Sequence, residues 1–353
     1  MNQLNHRQTK ILSVFSPDKP LSPKQLSNLS DKEITTITLS RDLSLLLSKN
    51  YLLRIGHGPK TTYKLTNKGL LFRPIDIDKY FSIPIDSRNI LPNFNFSIFS
   101  TLKNSDIFNK DETKQLLKLQ KKYLQNFKKL SPTIIQKEIE RITIELSWKS
   151  SLIEGNTYSL LDTELLLKKG IEAKGKQKSE TIMLLNHQDA IDLIFNQKKY
   201  FKKTDLPTIQ EIHRIITYKL NVSKNLRKTL VGITGTKYKP LDNQYQIKES
   251  MQKMCRLINS TDNIFTKSLL SMILISYIQP FEDGNKRTGR IIGNAILLTH
   301  NYFPIPFRSV DEKLYKQATL LFYEQNNLDL FKSIFIDQCQ FSVDNYFVFK
   351  QTP

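Results

Sequence analysis

The sequence predicts a mainly α-helical protein: an N-terminal winged helix-turn-helix, then an all-helical domain interrupted by one β-hairpin. Three observations predict it. Residues 1–70 hold three short helical runs and then two strand-like runs around a glycine turn. From about Asp111 to Asn345 apolar residues recur at helical spacing in run after run. A glycine-flanked, strand-like pattern returns once more, at Val231–Tyr238.

The first helix is expected at Ile11, Leu12, Val14 and Phe15. Ser22 as N-cap and Pro23 at the first helical position start the second, which carries Leu26 and Leu29. The third runs from about Glu33 to Lys49, with Ile34, Ile37, Leu39, Leu43, Leu46 and Leu47 facing inward. Tyr51–Ile55 and Thr61–Leu65 read as strands joined through Gly56-His57-Gly58-Pro59-Lys60. Residues 71–110, with Pro74, Pro84, Pro92 and Asn93-Phe94-Asn95-Phe96, read as an irregular connector whose aromatics pack on the core. Residues 111–345 form the helical domain, with helices expected at 112–129, 133–149, 158–170, 177–197, 207–219, 247–260, 266–278, 287–299 and 311–324.

The chain of 353 residues carries a formal charge of +20, which favours polyanions without choosing among nucleic acid, nucleotide phosphates and an anionic surface. Residues 1–75 hold 12 Lys or Arg against 4 Asp or Glu, a net +8 that fits a phosphate-facing surface. On the third helix Thr35, Thr36, Thr38 and Arg41 are candidate DNA contacts, with Lys60 and His57 on the wing. Protein contact is the other use of such a fold. Two cysteines, Cys255 and Cys339, make neither a disulfide framework nor a zinc set. The N-terminus has no apolar signal core, and Leu269–Ile278 is too short for the roughly 20 residues a bilayer needs. A cytoplasmic protein without membrane contact is expected.

The chemistry concentrates in Gln279-Pro280-Phe281-Glu282-Asp283-Gly284-Asn285-Lys286-Arg287-Thr288-Gly289-Arg290, between two apolar helices. Pro280 stops the first helix. Gly284 and Asn285 tolerate left-handed backbone in a tight turn. The second helix then opens with exposed amides and a dipole suited to an anion. Arg287 and Arg290, three apart, project from one face. An amide cradle, two arginines and the carboxylate of Asp283 suit a polyphosphate with bound Mg²⁺.

This segment resembles the Fic signature H-x-F-x-D/E-G-N-G/K-R-x-x-R, matching it at Phe281, Asp283, Gly284, Asn285, Lys286, Arg287 and Arg290. The resemblance covers about residues 110–345 and implies a Fic-like fold that transfers AMP from ATP to a protein hydroxyl. It implies that Asp283 holds Mg²⁺, and that Gly284, Asn285, Lys286 and Arg287 bind the nucleotide phosphates. Arg290 would take the terminal phosphate, and Phe281 would be a buried anchor. The family's histidine base is replaced by Gln279, whose amide cannot accept a proton at neutral pH. Binding without chemistry, slow transfer by positioning, and another base all stay open.

Ser150-Ser151-Leu152-Ile153-Glu154-Gly155 resembles the family's inhibitory motif S/T-x-x-x-E-G/N, which implies that Glu154 pairs with Arg290 and blocks the γ-phosphate position. The plain alternative is a helix end capped by Gly155. A water-activating role for Glu154 is a lesser option. Gly232, Ile233, Thr234 and Gly235 correspond to the family's flap, a hairpin that aligns an extended target segment by strand addition. His213 reads as a packing or hydrogen-bonding residue, and His187 and His300 have no metal-ligand spacing. Three functions follow: a Mg²⁺-dependent adenylyl transferase restrained by Glu154, a DNA-binding regulator with a degenerate nucleotide-sensing domain, and a peptide-docking module. A homodimer stays open.

Overall fold

The computed structural model describes residues 4–17, 19–30 and 35–349. Glu33, Ile34, the side chain of Leu29 and the first three residues of the segment read for a signal core lie outside them. The chain forms two units. The smaller comprises residues 1–106, 232–239 and 317–331, and the rest forms the larger. Among the described residues one sheet of two strands stands among α-helices, and no helix is long and apolar enough to cross a membrane.

In the smaller unit α1 (His6–Ser13) opens on a reciprocal cap: Asn5 Oδ1 accepts from the Gln8 amide, and Gln8 Oε1 from the Asn5 amide. Ser22 and Gln25 repeat the device at α2 (Pro23–Ser30). At α3 (Thr36–Ser48) Thr35 Oγ1 accepts from the Thr38 amide. Leu39, Leu43 and Leu46 join Ile11, Leu12 and Leu26 in the core. Ile37, expected inside, is instead 68% exposed. With the helix starting at Thr36, it lies two residues, about 200°, from the Leu39–Leu43–Leu46 stripe. β1 (Leu52–Ile55) and β2 (Thr62–Leu65) pair antiparallel, with Leu52 opposite Leu65 and Ile55 opposite Thr62.

The connector is more ordered than expected. It holds the end of α4 (Asn67–Phe72), α5 (Ile77–Ser82) and α6 (Ile98–Lys103), and Phe94 and Phe99 are buried while Phe96 stays exposed. Residues 317–331 are stitched to it: the Leu328 amide donates to Leu71 O at 2.8 Å, and Arg73 donates to Gln325 Oε1 and to Phe15 O. The segment expected as a β-hairpin is corrected here. Thr234 and Gly235 form a turn with Gly235 at φ +89°, yet no strand pairing joins the arms across Gly232 and Ile233. The backbone bonds go elsewhere: Lys239 N donates to Pro92 O at 2.8 Å, and Asn93 bridges Lys239 in parallel.

The larger unit contains α7 (Lys110–Phe127), α8 (Pro132–Ile153), α9 (Leu160–Lys169), α10 (Lys178–Asn196), α11 (Leu206–Ile216), α12 (Gln244–Ser260), α13 (Ile264–Ile278) and α14 (Asn285–Thr299). It also holds the start of α15 (Glu312–Gln325) and most of α16 (Asp329–Asn345). α13 is apolar on all sides and buried from Phe265 to Ile278 except at Lys267, the pattern of a central core helix. α14 packs against it without clearance. A Cβ on Gly289 would stand 2.8 Å from Met272 O, which explains a glycine inside a helix. This contact fixes the turn between the two helices, where the candidate site lies.

Candidate functional site

The turn begins where α13 stops. Gln279 is its C-cap, in left-handed backbone at φ 51° and ψ 58°. The other left-handed residue is Gly284, at φ +78°, where a Cβ would press within 3.1 Å of Thr217. Asn285, expected to share that conformation, is instead the first residue of α14, and its side chain braces the turn. Its Oδ1 accepts from Phe281 N at 2.9 Å, and its Nδ2 donates to Phe281 O and to Gln279 Oε1, each at 2.8 Å. Gln279 Nε2 donates to Ser276 O at 2.7 Å, so both ends of the Gln279 amide serve the turn.

Two residues reach the turn from outside the signature. Arg227, 1% exposed, donates through Nε to Gln279 O at 2.6 Å, through Nη1 to Thr229 O, and through Nη2 to Leu241 O. His213 stacks on the fully buried Phe281, with ring centroids 3.6 Å apart, and its Nε2 donates to Asp283 O at 3.0 Å. Burial and the nearby Arg287 charge outweigh that carbonyl and the Asp283 charge, pushing His213 down to about 4. A neutral packing histidine is thus what the structure contains.

The charged groups form a compact set. Arg287, 2% exposed, donates Nη2 to Asp283 Oδ2 at 2.7 Å, while the Asp283 side chain is 65% exposed. Arg290, fully buried, donates Nε to Ser150 Oγ, and Nη2 to Ser150 O and Glu154 Oε1, each at 2.9 Å. Its guanidinium lies 5.5 Å from the centre of the Tyr315 ring. Lys286 Nζ takes the second Glu154 oxygen, Oε2, at 2.9 Å. Burial alone would raise the Glu154 carboxyl, but the charges and hydrogen bonds of Arg290 and Lys286 overcome it and hold it at about 2.

Glu154 is the C-cap of α8 and Gly155 follows at φ +100°. The helix-end reading and the reading that brings Glu154 to Arg290 therefore describe one geometry. Behind the pair sits His187, to which the sequence assigned no role beyond its lack of metal-ligand spacing. Arg290 Nε–H occupies one side of the Ser150 hydroxyl oxygen, so the hydroxyl proton points to His187 Nε2 at 2.9 Å, and Nδ1–H faces Met183 O. Burial first, then Arg287 and Arg290, lower His187 to about 3. Nothing local marked it; it arrives by packing of α10 on α8.

The donor set fits a magnesium–phosphate ligand better than a bare metal. Among the described residues no three His, Cys, Asp or Glu side chains gather to cage an ion, so an ion held by Asp283 would take its other ligands from water and phosphate oxygens. Arg287 Nη1 is buried without a hydrogen-bond partner, a donor left over for an anion. No cap side chain closes the first turn of α14. The structure brings Asp283, Gly284, Asn285, Lys286, Arg287, Arg290, Ser150 and Glu154 together in the larger unit. Gly232, Ile233, Thr234 and Gly235 belong to the smaller one, as do Thr35, Thr36, Thr38, Arg41 and Lys60.

Residues 203–297 match the sequence profile of the Fic/DOC family. A protein adenylyltransferase Fic of Nematostella vectensis is 26% identical over 197 residues, 51% of this chain and 43% of that protein. A probable protein adenylyltransferase of Aquifex aeolicus is 33% identical over 91 residues, 25% of this chain and 28% of that one. The chain thus spans less than half the length of these curated relatives. Fic-1 of C. elegans superposes with a TM-score of 0.57 at 19% identity, over 67% of this chain and 72% of that one. A Fic-domain signaling protein of Bacteroides thetaiotaomicron superposes at 0.54 and 19% identity, over 65% of this chain and 96% of that one. At such identities the likeness shows the fold. The turn, its arginines and the Arg227 brace thus lie within residues 203–297, the stretch that matches the Fic/DOC profile.

Proposed function

We propose that this site binds ATP with Mg²⁺ in the manner of an AMP-transferring Fic domain and is held shut by Glu154. One observation carries the reading: each oxygen of a single carboxylate occupies a cation of α14, Arg290 and Lys286, that a phosphate would otherwise engage. The relatives named adenylyltransferases support the same class. In transfer, the oxygen of a target Ser, Thr or Tyr hydroxyl bonds to the α-phosphorus, the bond to pyrophosphate breaks, and the hydroxyl proton passes to solvent water. Asp283 would hold the Mg²⁺, which neutralises phosphate charge when bound. The first-turn amides of α14, with Arg287, orient the phosphates, and Lys286 and Arg290 receive them once Glu154 withdraws.

At the position of the family's base the proton finds no acceptor. The Gln279 amide is engaged at both ends, and His187 and His213 are fully buried. General-base catalysis contributes about 10²–10⁴-fold, so native transfer is slow by that factor. Calorimetry with ATP and Mg²⁺, paired with labelled-ATP transfer, tests this. Glu154→Gly should tighten binding by roughly 5–150-fold, the range of an ordinary coupling between sites. Arg290→Ala should abolish the gain. Gln279→His in the Glu154→Gly background should raise transfer by about 10²–10⁴-fold. A Glu154→Gly protein with no affinity for any magnesium nucleotide overturns the reading.

A second reading follows from Gln279 and from the smaller unit. α1, α2 and α3 with the β1–β2 hairpin would be a winged helix-turn-helix on DNA, regulated by a nucleotide-sensing domain without transferase activity. Its supporting observation is the +8 charge of residues 1–75 together with Arg41 and Lys60, both exposed. Gel shifts with and without ATP and Mg²⁺ test it, and absence of salt-sensitive duplex binding removes it.

A further inference from the structure

α3 segregates its side chains sharply. Leu39, Asp42, Leu43 and Leu46 turn inward, and Thr36, Ile37, Ser40, Arg41 and Ser44 turn outward. The spacing 36-37-40-41-44 is one continuous helical face. That face carries hydroxyls, one guanidinium and one branched hydrocarbon, and no carboxylate. The single acid of the helix, Asp42, is 3% exposed and held from the inside by Arg7 and by Gln8 Nε2 at 3.0 Å. Its negative charge is thereby removed from the surface.

Two of the threonines that sequence would assign to contact are already engaged. Thr35 Oγ1 accepts from the Thr38 amide and donates to Thr38 Oγ1 at 2.9 Å, closing the cap. The outward set that remains starts at Thr36 and Ile37, in the first turn. Isoleucine in a helix has one dominant χ1, so it presents its methyl groups at a fixed place. Isolated exposed apolar residues are common. An exposed isoleucine inside an acid-free face of hydroxyls and arginine is a more specific arrangement. It matches the major groove, where hydroxyls bond either donor or acceptor edges, arginine takes guanine or phosphate, and an apolar side chain meets the C5-methyl of thymine.

We infer that this outer face of α3 reads double-stranded DNA in the major groove, with Ile37 packed on a thymine methyl as a specificity-determining contact. The inference rests on the reading of the smaller unit as DNA-binding. The charge argument commits it to a polyanion: the face carries Arg41 and a helix N-terminus, and its one acid is turned away.

The test uses the full chain. A preferred duplex is selected from a random-sequence pool, and binding is read by fluorescence anisotropy at fixed salt. Each thymine is then replaced singly by deoxyuridine, which removes only the methyl group. At one position the wild type should lose about fourfold in affinity, the worth of one buried methyl. Ile37→Ala should bind the thymine and deoxyuridine duplexes equally, with an unchanged melting temperature because the residue is exposed. Arg41→Ala should weaken all duplexes and lower the salt slope by about one. Duplex binding in which every deoxyuridine is tolerated, in which no sequence is preferred, or in which Ile37→Ala still discriminates overturns the Ile37 assignment while sparing DNA binding. Failure to bind any duplex in a salt-dependent way overturns both.

Discussion

Glu154 shows how one carboxylate can be more ionised inside a protein than in water. Its folded value of about 2 lies below the ordinary 4.5. Its contribution to stability is therefore complete above pH 4.5 and is lost as pH falls toward 2. Ordinary acidification therefore leaves the Glu154 ion pairs with Arg290 and Lys286 in place. His187 behaves oppositely in protonation though not in direction. Its folded value of about 3 lies below the ordinary 6.5, so the unfolded chain takes up a proton first. Stability falls as pH drops from 6.5 toward 3, by about 1.4 kcal/mol per unit for this group. Thermal melts of wild type and His187→Gln between pH 7 and about 4.5 check this, and the variant should lose stability more slowly. The residues legible in sequence were those within one turn: Asp283, Arg287 and Arg290 share a fixed local spacing, and Glu154 ends a helix before a glycine. Ser150 and His187, 37 positions apart, are joined only by packing, and Tyr315 reaches Arg290 from another helix, so no local period could announce either.

At the scale of elements, the α13–α14 pair is the rigid base of the site. Its closeness depends on Gly289 facing a backbone carbonyl that cannot move aside. Gly289→Ala should destabilise the protein by about 1–3 kcal/mol, measured by denaturant midpoint, with nucleotide affinity falling alongside. Gly293 meets the flexible end of Met272 instead, so Gly293→Ala has more room to adjust. The helices of this region were legible because α11, α12 and α14 carry apolar stripes and α13 is a continuous apolar run. Two elements were misjudged for a shared reason, that a pattern of residue types does not name its partner. Ile37 looked apolar enough for the core but fell off its stripe. The arms around Gly235 looked like paired strands, but Lys239 bonds to Pro92 instead.

For the whole molecule the dominant quantity is charge. With +20 on 353 residues, association with a polyanion is strongly salt-dependent. If the DNA surface neutralises 6 phosphates or more, duplex affinity should fall by about 10³-fold or more between 50 and 200 mM salt. Anisotropy titrations across that range measure it. The order of parts, strand-bearing first and helical after, was readable from the change of period near residue 110. The return of residues 232–239 and 317–331 to the smaller unit was not, because it depends on long-range bonds such as Asn327 to the carbonyls of Leu70 and Arg73.

Arg227 binds three carbonyls drawn from separate stretches of chain, those of Gln279, Thr229 and Leu241. A rivet of that kind ties the breathing of one loop to that of its neighbours. In Arg227→Ala the protons of the amides near 227–229 and 279–281 should exchange into heavy water together and faster, while those of α12 keep their native protection.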